Sequence, residues 1–223
     1  MIGFRILEST RRVDQALVRR FAELPVANVS DVMSRMTAAG PDLRPMHAGG
    51  TLAGPAFTVK TRPGDNLMVH KALDLAAPGD VVVVDAGGDL TNALIGEMML
   101  AHAQTRGLAG VVIFGAVRDL GAIRASAFPV YASGVTHRGP YKDGPGEINV
   151  AIALNGMVIE PGDLVLGDED GLVAVPYDDA EAVCQLAAKK HADEQAHLQN
   201  ILSGRVDRGW VDATLTRLGC KLG

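Results

Sequence analysis

The chain has 223 residues, with 21 Lys and Arg against 26 Asp and Glu, a formal net charge of −5, and 48% hydrophobic residues. This composition excludes a disordered chain, and 26 Gly with 11 Pro in no G-x-y period exclude a collagen-like one. The acidic balance and the few aromatics (five Phe, three Tyr, one Trp) offer neither an electrostatic footprint nor a stacking platform for nucleic acid, so no nucleic-acid partner is expected.

A single domain over 1–223 is expected, with N-terminal helices over 1–40 and a C-terminal helical extension over 177–223. A chain of this length buries roughly 70% of its unfolded surface and needs no staples. Cys184 and Cys220 lack metal-ligand spacing, and Cys184 falls on an apolar helical pattern where a buried thiol is expected. The first residues lack the long apolar region of a signal peptide, and runs such as Val81 to Val84 are far too short to span a membrane. The expectation is a cytoplasmic protein with no membrane partner.

In chain order, Val13, Leu17, Phe21 and Leu24 recur at helical spacing over residues 10–24, and Pro25 interrupts them. Ser30 reads as the N-cap of a second helix through about Ala39, which Gly40-Pro41 ends. Leu52 to Lys60 reads as a strand. The turn Pro63-Gly64-Asp65-Asn66 follows, and Asp65 or Asn66 is placed to cap a helix carrying Met68, Val69, Ala72, Leu73 and Leu75. Val81 to Val84 and Val111 to Phe114 are continuous apolar runs of the kind buried on both faces of a parallel sheet. Between them lie a polar loop, Asp85 to Thr91, and a helix through Arg106 ended by Gly107, which makes a βαβ unit.

Beyond this unit, Pro129 to Tyr131 is a short strand, and Gly134 to Glu147 reads as a long loop. Short strands follow at Ile148 to Leu154, Met157-Val158, Leu164 to Leu166 and Leu172 to Val175, with turn signals at Asn155-Gly156, Pro161-Gly162-Asp163 and Asp170-Gly171. Residues 177–202 form a long helix, and a shorter element with Trp210 and Leu215 closes the chain. The predicted class is α/β, with a parallel βαβ core, a strand-rich half and flanking helices.

No P-loop, G-x-G-x-x-G, H-E-x-x-H or G-x-S-x-G motif occurs. Asp168-Glu169-Asp170-Gly171 lacks the ligand spacing of an EF-hand and reads as a solvated turn. His191 and Glu194 share a helix face, most simply a solvent-facing one, and His70 and His102 read as ordinary helix histidines.

The stretch that carries chemistry runs from Gly96 to Asp119. Gly96-Glu97-Met98-Met99 stands at the start of the βαβ helix, and Arg118-Asp119 stands just past the carboxyl end of the second strand, where open α/β sheets bind ligands. The unit folds back, so both reach the same sheet edge. A helix starting near Gly96 would aim free N–H groups of Met98 and Met99 at an anion. Arg118 offers a planar fork for a carboxylate or developing oxyanion, and Asp119 is a hard oxygen ligand for Mg²⁺ or Mn²⁺, with Glu97 beside it. This set suits metal-assisted enolisation of a 2-oxo acid. Spacing alone leaves open a plainer reading of Arg118-Asp119 as a capping or surface ion-pair dipeptide.

The same stretch, Gly-Glu-Met-Met followed by Arg-Gly-Leu-Ala-Gly-Val-Val-Ile-Phe-Gly-Ala-Val-Arg-Asp, resembles the class II 4-hydroxy-4-methyl-2-oxoglutarate/4-carboxy-4-hydroxy-2-oxoadipate aldolases and the RraA-like regulators of ribonuclease E. The signature is an acidic residue, twenty residues, then Arg-Asp. Pro63-Gly64-Asp65-Asn66 with His70, Pro78-Gly79-Asp80-Val81, and Pro161-Gly162-Asp163 through Val173 extend the resemblance over roughly residues 25–200.

The resemblance implies a swivelling β/β/α fold, assembled as homotrimers or homohexamers with active sites at subunit interfaces. It makes Asp119 the divalent-metal ligand (Mg²⁺ or Mn²⁺), Arg118 the holder of pyruvate or its enolate, and the turn Gly96, Glu97, Met98, Met99 the substrate-carboxylate site. Glu97 stands where many members have Asp, and Glu194 is the candidate acidic residue supplied by a neighbouring subunit. Ala122 replaces an acidic residue frequent in the family three positions after the Asp of Arg-Asp. The implied activity is metal-dependent retro-aldol cleavage of a 4-hydroxy-2-oxo acid to pyruvate and a second carbonyl product, with oxaloacetate decarboxylation as a side reaction. The alternative implied by the regulatory branch is a protein that binds and restrains ribonuclease E. A quinone methyltransferase is not expected, because no glycine-rich loop for S-adenosylmethionine follows the first buried strand.

Overall fold

Residues 2–221 are described in a computed structural model. In chain order the elements are β1 (Phe4–Ile6), α1 (Gln15–Ala22), α2 (Val26–Val32), β2 (Arg44–Pro45), β3 (Leu52–Thr61), α3 (Leu67–Leu75), β4 (Val81–Asp85) and β5 (Ala93–Ile95). Then come α4 (Glu97–Thr105), β6 (Gly110–Val117), α5 (Leu120–Arg124), β7 (Val130–Val135), β8 (Gly146–Ile148), β9 (Ile152–Leu154), β10 (Met157–Ile159), β11 (Leu164–Asp168), β12 (Gly171–Val175), α6 (Ala180–Leu202) and α7 (Gly209–Arg217).

The main sheet runs β1-β8-β3-β4-β6-β7-β2, and β3, β4, β6 and β7 are mutually parallel. Their apolar runs explain the arrangement: Val81 to Val84 and Val111 to Ile113 are fully buried, as strands covered on both faces must be. Each such side chain stabilises the fold by about 1.5–3 kcal/mol relative to exposure. Strand β3 belongs to two systems. Its first half, Leu52 to Pro55, pairs antiparallel with β11, and Ala56 to Lys60 pairs parallel with β4.

Three cores follow from this topology. Helices α3 and α4 bury Val69, Leu73, Leu100 and Ala103 on one face of the parallel sheet. The opposite face meets β9, β10 and β12 around Tyr131, Leu154 and Ile159. The far side of the β11–β12 hairpin is covered by α1, α2 and α6 through Phe21, Val29 and Val183. The expected parallel βαβ core, strand-rich half and flanking helices are therefore present.

Local chemistry corrects several boundaries. The first 40 residues are not helical throughout: β1 pairs with β8, and residues 7–13 run outside any helix or strand. Helix α1 starts late because the Asp14 carboxylate accepts from the N–H groups of Ala16 and Leu17 at 2.8 and 2.9 Å. Pro25 begins α2 rather than only ending what precedes it. Its φ of −61° suits a helix start, and Asp168 Oδ2 accepts the Val26 N–H at 2.9 Å. Ser30 therefore lies inside α2, which ends at Val32, and Ser34 and Arg35 just beyond it, both with φ of +59°, turn the chain away.

Strand β5 emerges directly after the polar loop because its three residues, Ala93 to Ile95, are all buried beside β6. The long loop shrinks, since β7 reaches Val135 and β8 begins at Gly146. Asn149, with φ of +57°, separates β8 from β9 within the predicted Ile148–Leu154 strand. Asn155-Gly156, both at positive φ, close the β9–β10 hairpin as their sequence implies. Cys184 is buried, and no helix among the described residues is long and apolar enough to cross a membrane.

Candidate active site

The end of β6 and the start of α4 are locked together by the chain itself. The Arg118 N–H donates to Ile95 O at 3.0 Å, which carries Arg118 along the edge of β5. Asp119 follows in the left-handed region, φ +60° and ψ +39°, a conformation that an Asp tolerates at a cost of about 1–2 kcal/mol. Such held conformations concentrate at functional sites. Asp119 Oδ2 accepts the Glu97 N–H at 3.0 Å, so the carboxylate caps α4 from outside and meets the positive end of its dipole. Gly96 makes this approach possible. A Cβ there would collide with Asp119 Oδ2 and with Arg118 Cγ.

A cleft of about 440 Å³ opens at this junction. Its walls carry Gly96 to Met99, Arg118, Asp119, Asn66, His70 and Lys142. Lys142 arrives on a segment that is pinned by the fully buried Asp65. The Asp65 carboxylate accepts from Asp143 N (2.7 Å), Gly144 N (2.9 Å), Leu67 N (3.0 Å) and Arg62 (3.0 Å). Burial, with Lys142 nearby, lowers the His70 imidazole below its usual range. Met98 is 87% exposed at the mouth.

The donor set fits a hard cation held by one protein carboxylate. Asp119 Oδ2 is engaged by the Glu97 N–H and lies 3.8 Å from Arg118 Nε, while Oδ1 makes no hydrogen bond among the described residues. Among the described residues no group of three or more His, Cys, Asp or Glu gathers as a closed cage. Mg²⁺ and Mn²⁺ accept such a site, since Mg²⁺ keeps several waters and needs few protein oxygens.

The sequence-predicted residues thus divide. Gly96, Glu97, Met98, Met99, Arg118 and Asp119 line one cleft. Of the amides at this helix start, the Met99 N–H, expected to be free, donates to Gly96 O at 3.1 Å, and Asp119 takes the Glu97 N–H. Glu194 lies outside this cleft, held on α6 by Lys190 (2.6 Å) and Asn28 (2.5 Å). Ala122 borders a smaller hollow of about 200 Å³ that shares Glu97 as a wall. His70 belongs to the cleft rather than to an ordinary helix face, whereas His102 pairs with Asp74 at 3.1 Å. Asn66 and Lys142 escape a reading by spacing. Their place depends on the Asp65 clamp, although the turn containing Asp65 and Asn66 is visible in sequence.

Comparison with known proteins gives the family. The model of the family described as Aldolase/RraA (RraA-like) matches residues 26–174. A protein of Halalkalibacterium halodurans, provisionally named 4-hydroxy-4-methyl-2-oxoglutarate aldolase, is 42% identical over 179 residues, covering 80% of this chain and 85% of the relative. Among solved structures, an uncharacterised Pseudomonas syringae protein superposes with a TM-score of 0.78 at 25% identity, over 87% of this chain and 96% of that one. The RNA-processing inhibitor RraA of Thermus thermophilus gives a TM-score of 0.64 at 33% identity, over 69% and 93%. With the family model spanning most of the fold and the relative spanning most of the chain, this protein belongs to the RraA-like (Aldolase/RraA) family.

Proposed function

We propose that the protein is a divalent-metal-dependent lyase that cleaves a 4-hydroxy-2-oxo acid by a retro-aldol reaction to pyruvate and a second carbonyl product. The observation that carries this reading is one cleft that holds the Arg118 guanidinium beside the Asp119 carboxylate at 3.8 Å, with the exposed Glu97 carboxylate and the start of α4 on the same wall. The Met98 N–H and the α4 dipole suit the substrate's C1 carboxylate. Arg118, whose terminal nitrogens make no hydrogen bond among the described residues, suits the C2 oxygen as negative charge grows on it. Glu97 takes up the C4 hydroxyl proton. The C4–O bond becomes a carbonyl, the C3–C4 electron pair passes into the pyruvate enolate, and C3 is then protonated. Asp119 would hold Mg²⁺ or Mn²⁺, which when bound supplies Lewis-acid polarisation of the 2-oxo group.

Oxaloacetate decarboxylation follows as a side reaction, because loss of carbon dioxide leaves the same enolate. A homotrimer or homohexamer with interfacial sites belongs to this reading, and the 87% exposure of the apolar Met98 at the cleft mouth supports it. The unpaired thiols Cys184 and Cys220 suit a reducing cytoplasm. The likeness to the Thermus RNA-processing inhibitor favours a second reading, a protein that restrains a ribonuclease.

Pyruvate release tests the main reading. With Mg²⁺ and either 4-hydroxy-4-methyl-2-oxoglutarate or oxaloacetate, a coupled assay should register turnover that a chelator stops. Absence of turnover on both, together with slowed RNA cleavage by ribonuclease E, would favour the regulator.

A further inference from the structure

The Arg118 side chain runs past two glycines. A Cβ on Gly96 would stand 2.9 Å from Arg118 Cγ and 3.2 Å from Nε, so Gly96 makes room for the stem. A Cβ on Gly139 would stand 3.4 Å from Arg118 Nη1, at the edge of ordinary contact, so Gly139 makes room for the charged end. Chain neighbours aside, Nη1 is the only heavy atom among the described residues within 4 Å of that second position. Nor does the Gly139 backbone itself demand glycine, because its φ lies outside the left-handed region.

The segment bearing Gly139 is tied to the start of β5. Asn92, only 5% exposed, donates from Nδ2 to Gly139 O, and the Ala93 N–H donates to Arg138 O at 2.8 Å. The Arg118 N–H in turn donates to Ile95 O. Residues 92–95 thus register both the backbone of Arg118 and the wall against its guanidinium. Those bonds hold the wall in place, so a larger side chain at Gly139 would displace Arg118 instead.

Resting on the aldolase reading, we propose that Gly139 is a positioning residue: its missing side chain, on a segment anchored by Asn92, leaves the space from which the Arg118 guanidinium meets the 2-oxo oxygen. Gly139 touches no reacting atom and acts through Arg118. The guanidinium fork is planar and its donors are directional, so a misplacement of about 1 Å costs about 10²-fold.

A double-mutant cycle on ligand affinity tests this. Oxalate is the probe, a planar dianion with a carboxylate beside a second C–O⁻, as in the pyruvate enolate. It is titrated calorimetrically, with Mg²⁺ present, into wild type, Gly139→Val, Arg118→Ala and the double variant. Gly139→Val should weaken oxalate about 10- to 150-fold, as loss of a charge-assisted hydrogen bond does, and should cost nothing further once Arg118 is replaced. Gly139→Ala, whose Cβ only reaches contact distance, should bind nearly as wild type does. Equal losses with and without Arg118, or no loss in its presence, overturn the assignment. Should Gly139→Val fail to fold, Asn92→Ala, which frees the Gly139 carbonyl, replaces it in the cycle with the same expected and contrary results. A wild type that binds no oxalate also overturns the assignment. A coupled cycle in a protein that releases no pyruvate overturns the aldolase reading alone and upholds the role of Gly139 toward Arg118.

Discussion

At the scale of single residues, the site depends on how closely two backbone segments approach. Gly96 is required for contact rather than for an unusual backbone angle, since its φ of −150° is extended. Gly96→Ala should push Asp119 and Arg118 apart, lower activity about 10²-fold and destabilise by about 1–3 kcal/mol. Pyruvate-release kinetics with a thermal melt would check both. His70 makes a prediction of opposite character. Burial first, and Lys142 second, lower its pKa in the folded chain, so the unfolded chain binds the proton more tightly. Stability from this group is whole above about pH 6.5 and declines as pH drops through that value toward the folded pKa. Melting temperatures at pH 5 and pH 8 should therefore differ less in His70→Gln than in wild type. Arg118, Asp119 and Glu97 were legible in sequence because strand, helix and motif fix their edge. Lys142 was not, because its segment is held at the cleft by the Asp65 carboxylate, 78 positions from Asp143 in sequence, and Asn66 reads in sequence only as a turn residue.

Among the elements, α2 best separates local from tertiary signals. Ser30 has the chemistry of a cap and Pro25 that of a breaker, so the sequence alone starts this helix too late. The carboxylate that serves its N-terminus belongs to Asp168, at the end of β11, 142 positions away. No local pattern reveals it. Asp168→Ala should cost about 1 kcal/mol, as loss of a cap does, and lower the melting temperature by about 2–4 °C for a chain of this size. The buried strands were legible for the opposite reason, since a continuous valine run is explained by burial on both faces wherever its neighbours come from. Strand β5 was hidden because three apolar residues after a polar loop carry no period long enough to read.

For the whole molecule, sheet topology positions the chemistry: the parallel strand β6 delivers Arg118 to the sheet edge, and the start of α4 lines the cleft there. The half of α6 beyond Lys190 and all of α7 contribute no buried side chain, while Leu202, Trp210 and Leu218 are exposed along them. Whatever these segments do for assembly, they do not build the cleft. The central claim is that Asp119 holds a divalent cation beside Arg118. Titration of Mn²⁺ monitored by electron paramagnetic resonance tests it without relying on turnover. The account predicts about one bound Mn²⁺ per wild-type chain, displaced by Mg²⁺ and lost in Asp119→Ala. Equal Mn²⁺ binding by wild type and Asp119→Ala would contradict it.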